Sequence, residues 1–258
     1  MSLPDIIASA RSTQGGFDTH IPDGWLQGRT AYGGLSAALA LEAARHADQD
    51  LPPLRSAQIS YIGPLAGEVS VRAEKLRRGR NAAFVRSDVS GDAGIGLSAT
   101  FVFMNAMESH IQFNDAQAPD VSAPEQSDAE QQGFVPDFFV ANFDWRAALP
   151  KPSEPQPDFS RWVKLKAREG LDPMVELIAI GDALPPAAMP LFKTPAPIST
   201  MTWLVNLLTP KPQTRDGWWL VRATANYAEH GCSSQSMGVW NTDGEPIATA
   251  MQSVALFG

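Results

Sequence analysis

The chain carries one order of elements twice: an Ala- and Leu-rich or otherwise apolar helix, then a run of short apolar segments punctuated by turn residues. In the first copy, GGLSAALALEAARHA from Gly33 predicts the long helix, because Ala and Leu are strong helix formers and the run ends in polar residues. The breaker from Asp50 to Pro53 closes it. Strands are expected over Arg55 to Gly63, Val69 to Arg77 and Asn81 to Val89, and, after the Gly91 to Gly96 turn region, over Leu97 to Met104. In the second copy, Asp172 suits the N-cap and Pro173 the first helical position of a helix through MVELIAIGDAL, which Pro185 and Pro186 stop. Strands follow at Ile198 to Leu208, Trp218 to Tyr227, Cys232 to Trp240 and Ile247 to Leu256, with Asp243 and Gly244 turning the chain before the last.

A displacement of 150 residues lays Val85 to Met104 on Gln235 to Val254 without a gap; identities are few, but apolar character and the turn coincide. Earlier strands need a small gap. One helix across an antiparallel sheet leaves exposed edges and a small core, so pairing two such units is the physical remedy. The expected architecture is an α+β internal pseudo-dimer: one unit over 1–114, a connector over 115–132 with little to bury, and a second unit over 133–258. A cleft is expected between the halves.

Composition narrows the function. A 258-residue chain that is 44% hydrophobic can bury a substantial core. A formal charge of -8 disfavours a broad phosphate-coating surface, and neither a recognition helix nor an aromatic platform is present, so nucleic-acid binding is not expected. Cys232 is the only cysteine and four histidines are scattered, which excludes an intrachain disulfide and offers no metal-ligand cluster. The N-terminal MSLPDII has no basic leader, and the apolar stretches near Leu35 to Ala44 and Met174 to Leu184 are too short for a membrane span. A soluble cytoplasmic protein is the expectation. Exposed sheet edges leave room for a homo-oligomer, with no interface singled out.

The chain resembles double hot-dog proteins of the acyl-CoA thioesterase II type. The resemblance runs through GRTAYGGLSAALALEAA from Gly28, SYIGPLAGEVSV from Ser60, LRRGRNAAFVRSDV from Leu76, AIGDALPP from Ala179, PISTMTWLVNLL from Pro197 and GEPIATAMQSVALF from Gly244. It implies a helix wrapped by an antiparallel sheet in each half and an acyl-CoA substrate. It also implies a catalytic Asp at Asp182, a hydroxyl at Thr200 with Ser199 as the neighbouring alternative, and a Gln at Gln252, which together orient a hydrolytic water without metal or other cofactor.

Thioester hydrolysis needs a positioned water, a group that favours its deprotonation, and donors facing the developing oxyanion. Asp182 interrupts the otherwise apolar IAIGDAL and is the strongest candidate, against the plainer reading of a helix-terminal carboxylate. Gln252 and Thr200 could equally be ordinary strand residues. No Ser-His-Asp or Cys-His pattern points to an acyl-enzyme, although direct attack by Asp182 stays open. The first half has no carboxylate between Thr30 and Ser36, and Val102 stands where the displacement puts Gln252, so one catalytic set per chain is expected. Gly33 and Gly34 either bring substrate against helix N-terminal N–H groups or simply pack tightly. Arg78 and Arg80, in the densest basic cluster, either meet coenzyme A phosphates or are a solvated turn. Two other functions stay open: hydration or dehydration of an acyl thioester, for which histidines are scarce, and acyl-thioester or lipid binding without turnover.

Overall fold

The computed structural model describes residues 1–130, 138–150 and 152–257. Its helices are α1 (Leu3–Ala8), α2 (Gly33–Arg45) and α3 (Pro173–Gly181). The first half contributes β1 (Arg11–Thr13), β2 (Gly16–Ile21), β3 (Leu26–Gln27), β4 (Thr30–Ala31), β5 (Leu54–Tyr61), β6 (Gly67–Arg78), β7 (Ala82–Gly91) and β8 (Gly94–Met104). The second contributes β9 (Phe143–Ala147), β10 (Asp158–Leu165), β11 (Ile198–Leu207), β12 (Trp219–Glu229), β13 (Cys232–Trp240) and β14 (Pro246–Leu256).

Twelve of these strands form one antiparallel sheet in the order β1-β2-β6-β7-β8-β5-β11-β14-β13-β12-β10-β9. Read from either edge, the order visits equivalent strands of the two halves. The seam is β5 against β11, where Ser60 pairs with Thr202, Ile59 with Trp203 and Ser56 with Asn206. Each half thereby covers the other's open edge with backbone hydrogen bonds. One continuous core joins inward-facing side chains of both halves.

Helix α2 is apolar nearly all round because it is buried nearly all round: Leu35, Leu39 and Leu41 are inaccessible, and the intervening alanines let sheet and helix approach closely. Helix α3 starts as its sequence dictates, with the Asp172 side chain accepting from the Met174 N–H at 2.8 Å and Pro173 in the first turn. It stops at Gly181, so Asp182 is the capping residue rather than a helical one. The helices run antiparallel. At one end Arg45 pairs with Asp172 at 2.7 Å, and at the other the Tyr32 hydroxyl donates to the Ala179 carbonyl at 2.6 Å.

Three sequence expectations are corrected. The segment from Asp115 is no bare connector: Ala118 and Val121 pack on a second cluster of Trp162, Trp218, Leu220 and Trp240 on the sheet's outer face. Trp162 and Trp240 donate their indole N–H groups to the Ser122 and Ala116 carbonyls, so this strap has both apolar and polar attachments. Gln131 and Gln132, the end of that stretch, lie outside the described residues. Second, the counterpart of Gln252 is Phe101, not Val102, because Val85 pairs with Phe101 where Gln235 pairs with Gln252. The two hairpins differ by one residue, and a slip of one residue turns a strand's side chains to the other face. Third, β1 and β2 at one edge and β9 and β10 at the other extend the sheet beyond the expected strands. Trp218 and Trp219 do face opposite ways, into the outer cluster and the main core respectively.

Candidate active site

The antiparallel helices bring the C-terminal end of α3 against the N-terminal end of α2, and Asp182 occupies that junction. Its carboxylate opens onto a cavity of about 1080 Å³ that Gly33, Tyr61 and Thr200 also line. Gly33 is required by closeness: a methyl group there would lie 2.5 Å from Asp182 Oδ2 and 2.9 Å from the Tyr61 ring. The Gly34 N–H faces the Asp182 carboxylate and favours its ionised form. Gln252, buried behind it on β14, donates through Nε2 to Asp182 Oδ1 at 2.6 Å.

Burial is the main influence on this carboxyl, raising its pKa to about 7 against the opposing pull of the Gln252 and Gly34 donors. That value suits a group that must both take and return a proton near neutrality. Burial, and secondly the charge of Asp182, hold the hydroxyls of Tyr32 and Tyr61 well above the ordinary tyrosine range, so both stay protonated. The Tyr61 hydroxyl is buried and has no hydrogen-bond partner among the described residues.

Thr200 owes its aim to a bulge. The β11 to β14 pairing shifts register between Thr200 and Thr202, which reverses the alternation running down from buried Trp203. Thr200 is therefore half-buried while Ser199 is exposed, although both touch the cavity. Among the described residues the side-chain hydrogen bonds of Asp182 and Gln252 run to each other and to Gln235, not to Thr200 or Ser199. The apolar part of the wall includes Phe138, Phe159, Leu184 and Met189.

The structure thus brings Asp182, Gln252, Gly33, Gly34 and Thr200 to one region. It does not bring Arg78 or Arg80 there. Arg78 donates to the Asp50 carbonyl at 3.0 Å and lies 3.6 Å from Asp48, while Arg80 is exposed beyond the end of β6. Arg29 and Arg161 are the arginines of the cavity wall, the latter held by Glu130 at 2.6 Å. The symmetry-related end of the helix pair is closed by the Arg45 to Asp172 ion pair.

Sequence reasoning missed Tyr61 and Gln235. The latter is buried on β13 and donates to Gln252 Oε1 at 2.7 Å. Its signal was available, since the 150-residue displacement sets it on Val85, a polar residue in place of an apolar one. Among the described residues no group of His, Cys, Asp and Glu is placed to hold a metal ion, and no helix is long and apolar enough to cross a membrane.

Two family models match the chain. The acyl-CoA thioesterase C-terminal domain matches residues 116–256, and the acyl-CoA thioesterase N-terminal domain matches residues 21–104. No curated protein matches the chain. Among solved structures, a conserved hot-dog protein of unknown function from Alicyclobacillus acidocaldarius is 22% identical, with 98% of this chain and 97% of that one covered and a TM-score of 0.87. A candidate thioesterase II from Thermobifida fusca is 20% identical over 100% of both chains, with a TM-score of 0.81. The tesB protein of Mycobacterium avium subsp. paratuberculosis is 18% identical over 100% of both, with a TM-score of 0.79. At these identities the structural likeness speaks for the fold, whereas the C-terminal domain match spans more than half of the sequence. The chain belongs to the acyl-CoA thioesterase family of hot-dog proteins.

Proposed function

We propose that this double hot-dog chain is a hydrolase of the acyl-CoA thioesterase II type, converting an acyl-CoA to a carboxylic acid and free coenzyme A. The observation that carries the reading is the convergence of Asp182 with a buried amide donor behind it and an open cavity before it. Asp182 takes a proton from water as the water oxygen bonds to the thioester carbonyl carbon. The unpartnered Tyr61 hydroxyl donates to the carbonyl oxygen as negative charge develops there, and Thr200 offers the water a further contact. As the carbonyl re-forms, the carbon–sulfur bond breaks and the proton held by Asp182 passes to the departing thiolate. The apolar wall suits the acyl group. Arg29 and Arg161 at the same cavity are better placed for coenzyme A phosphates than Arg78 or Arg80.

Purified protein incubated with a panel of acyl-CoAs tests the reaction. Hydrolysis releases one thiol and one acid per turnover. An altered acyl group with its thioester intact would mean hydration chemistry instead, and saturable binding without product would mean a carrier. Tyr61→Phe keeps the ring and removes the donor, so kcat is expected to fall about 10- to 100-fold with KM little changed. Unchanged turnover in this variant removes Tyr61 from the reaction.

A further inference from the structure

Gln235 is fully buried on β13, where an amide costs free energy unless its polar atoms are paired. Its partners fix its orientation. Oε1 accepts from the Ala187 N–H at 2.7 Å, and Nε2 donates to Gln252 Oε1 at 2.7 Å. A peptide N–H can only donate, so the Gln235 atom facing Ala187 is the oxygen and its nitrogen is turned to Gln252. Gln252 must then present its own oxygen to Gln235, which leaves its nitrogen facing Asp182 Oδ1 at 2.6 Å. Hydrogen bonds of a single sense run from the loop after α3, through two buried amides, to the carboxylate.

The sheet itself does not need these amides. At the equivalent place in the other half, Val85 pairs with Phe101, and both are inaccessible to solvent. We propose that Gln235 is a positioning residue for the site: by occupying the Gln252 carbonyl it commits Gln252 to face Asp182 as a donor. The catalytic part of this proposal rests on the hydrolytic reading above, but the orientation of Gln252 does not. One consequence for mechanism follows directly. With its carbonyl turned to Gln235, Gln252 faces the carboxylate through its N–H group, and Asp182 is the acceptor for the attacking water's proton.

The test uses the intact chain with 13C-labelled aspartate, following the Asp182 carboxyl by NMR across pH and assigning it by its loss in Asp182→Asn. Tyr32 and Tyr61, the other titratable groups facing it, keep their protons through this range. In Gln235→Leu, Gln252 is free to turn and its donor is partly lost, so the Asp182 midpoint is expected to rise by about one pH unit. At pH 7 kcat should fall about tenfold with KM within about twofold. A folded Gln235→Leu protein with the original midpoint overturns the proposal. The unaltered protein gives a second test that no folding defect can obscure. Neutron diffraction must find the Gln235 deuterons directed at Gln252 and the Gln252 deuterons directed at Asp182, and the reverse at either step overturns it. If the original protein releases no thiol from any acyl-CoA, the hydrolytic reading fails while both structural readouts still decide the role of Gln235.

Discussion

Asp182→Asn is expected to lower kcat by roughly 10² or more, because the amide keeps the size of the carboxyl but cannot take a proton from water. In the original protein the rate should climb as pH rises through about 7, where Asp182 ionises, and then level off. The residual rate of the variant should lack that rise. The same substitution makes a separate forecast for stability. The folded pKa of Asp182 lies above the unfolded value, so its contribution to stability is fully present below about pH 4 and is lost as pH rises through about 7. Across that window the original should lose stability relative to Asp182→Asn, by on the order of 2 kcal/mol once screening by cavity water is allowed for. Denaturant titrations of both proteins at pH 4.5 and pH 8, taken as about the ends of this window, would check it. A constant difference between them would show that Asp182 is not held neutral by its burial, and a wild-type rate would remove it from catalysis.

Gly34→Ala should damage folding at the contact between α2 and α3. The added methyl would lie 2.5 Å from the Tyr32 ring and hydroxyl and 2.6 Å from the Ala179 carbonyl, on the hydrogen bond that ties α2 to α3. Alanine gains about 1 kcal/mol in helix propensity over glycine. Overpacking costs about 1–3 kcal/mol and the broken buried bond about 1–3 more, so the clash wins by roughly 1–5 kcal/mol. For a chain of this size that corresponds to a melting point lower by roughly 2–20 °C. Calorimetry measures it directly. An unchanged melting point would mean that the helices can part at this contact without penalty.

The helices and central strands were legible because their patterns are long and their breakers strong: Pro173 and Asp172 open α3 as read, and Cys232–Trp240 is a strand over the expected residues. The resemblance to acyl-CoA thioesterase II proteins pointed to Asp182 and Gln252, and the polar break in IAIGDAL singled out the former. The positions that resisted reading depend on single-residue irregularities that leave little trace in composition. Counting back from Trp203 in a regular strand turns Ser199 inward and Thr200 outward, and only the bulge reverses this. One extra residue in a hairpin likewise put Val102 where Phe101 belongs. Gln235 stands among serines in SSQSMG, and its burial depends on partners far away in sequence, at Ala187 and Gln252. The edge strands were short and mixed in polarity, and the strap's few apolar residues matter only because three tryptophans await them on the outer face.

The β5 to β11 seam bears on how such a catalyst behaves at low abundance. Asp182 comes from one half, and Gly33 and the Gly34 N–H that face it come from the other. Had these been separate polypeptides, dilution would pull them apart and extinguish the reaction. Carried on one chain, each sees its neighbour at an effective concentration set by the tether alone, so the cell's copy number places no lower bound on assembly.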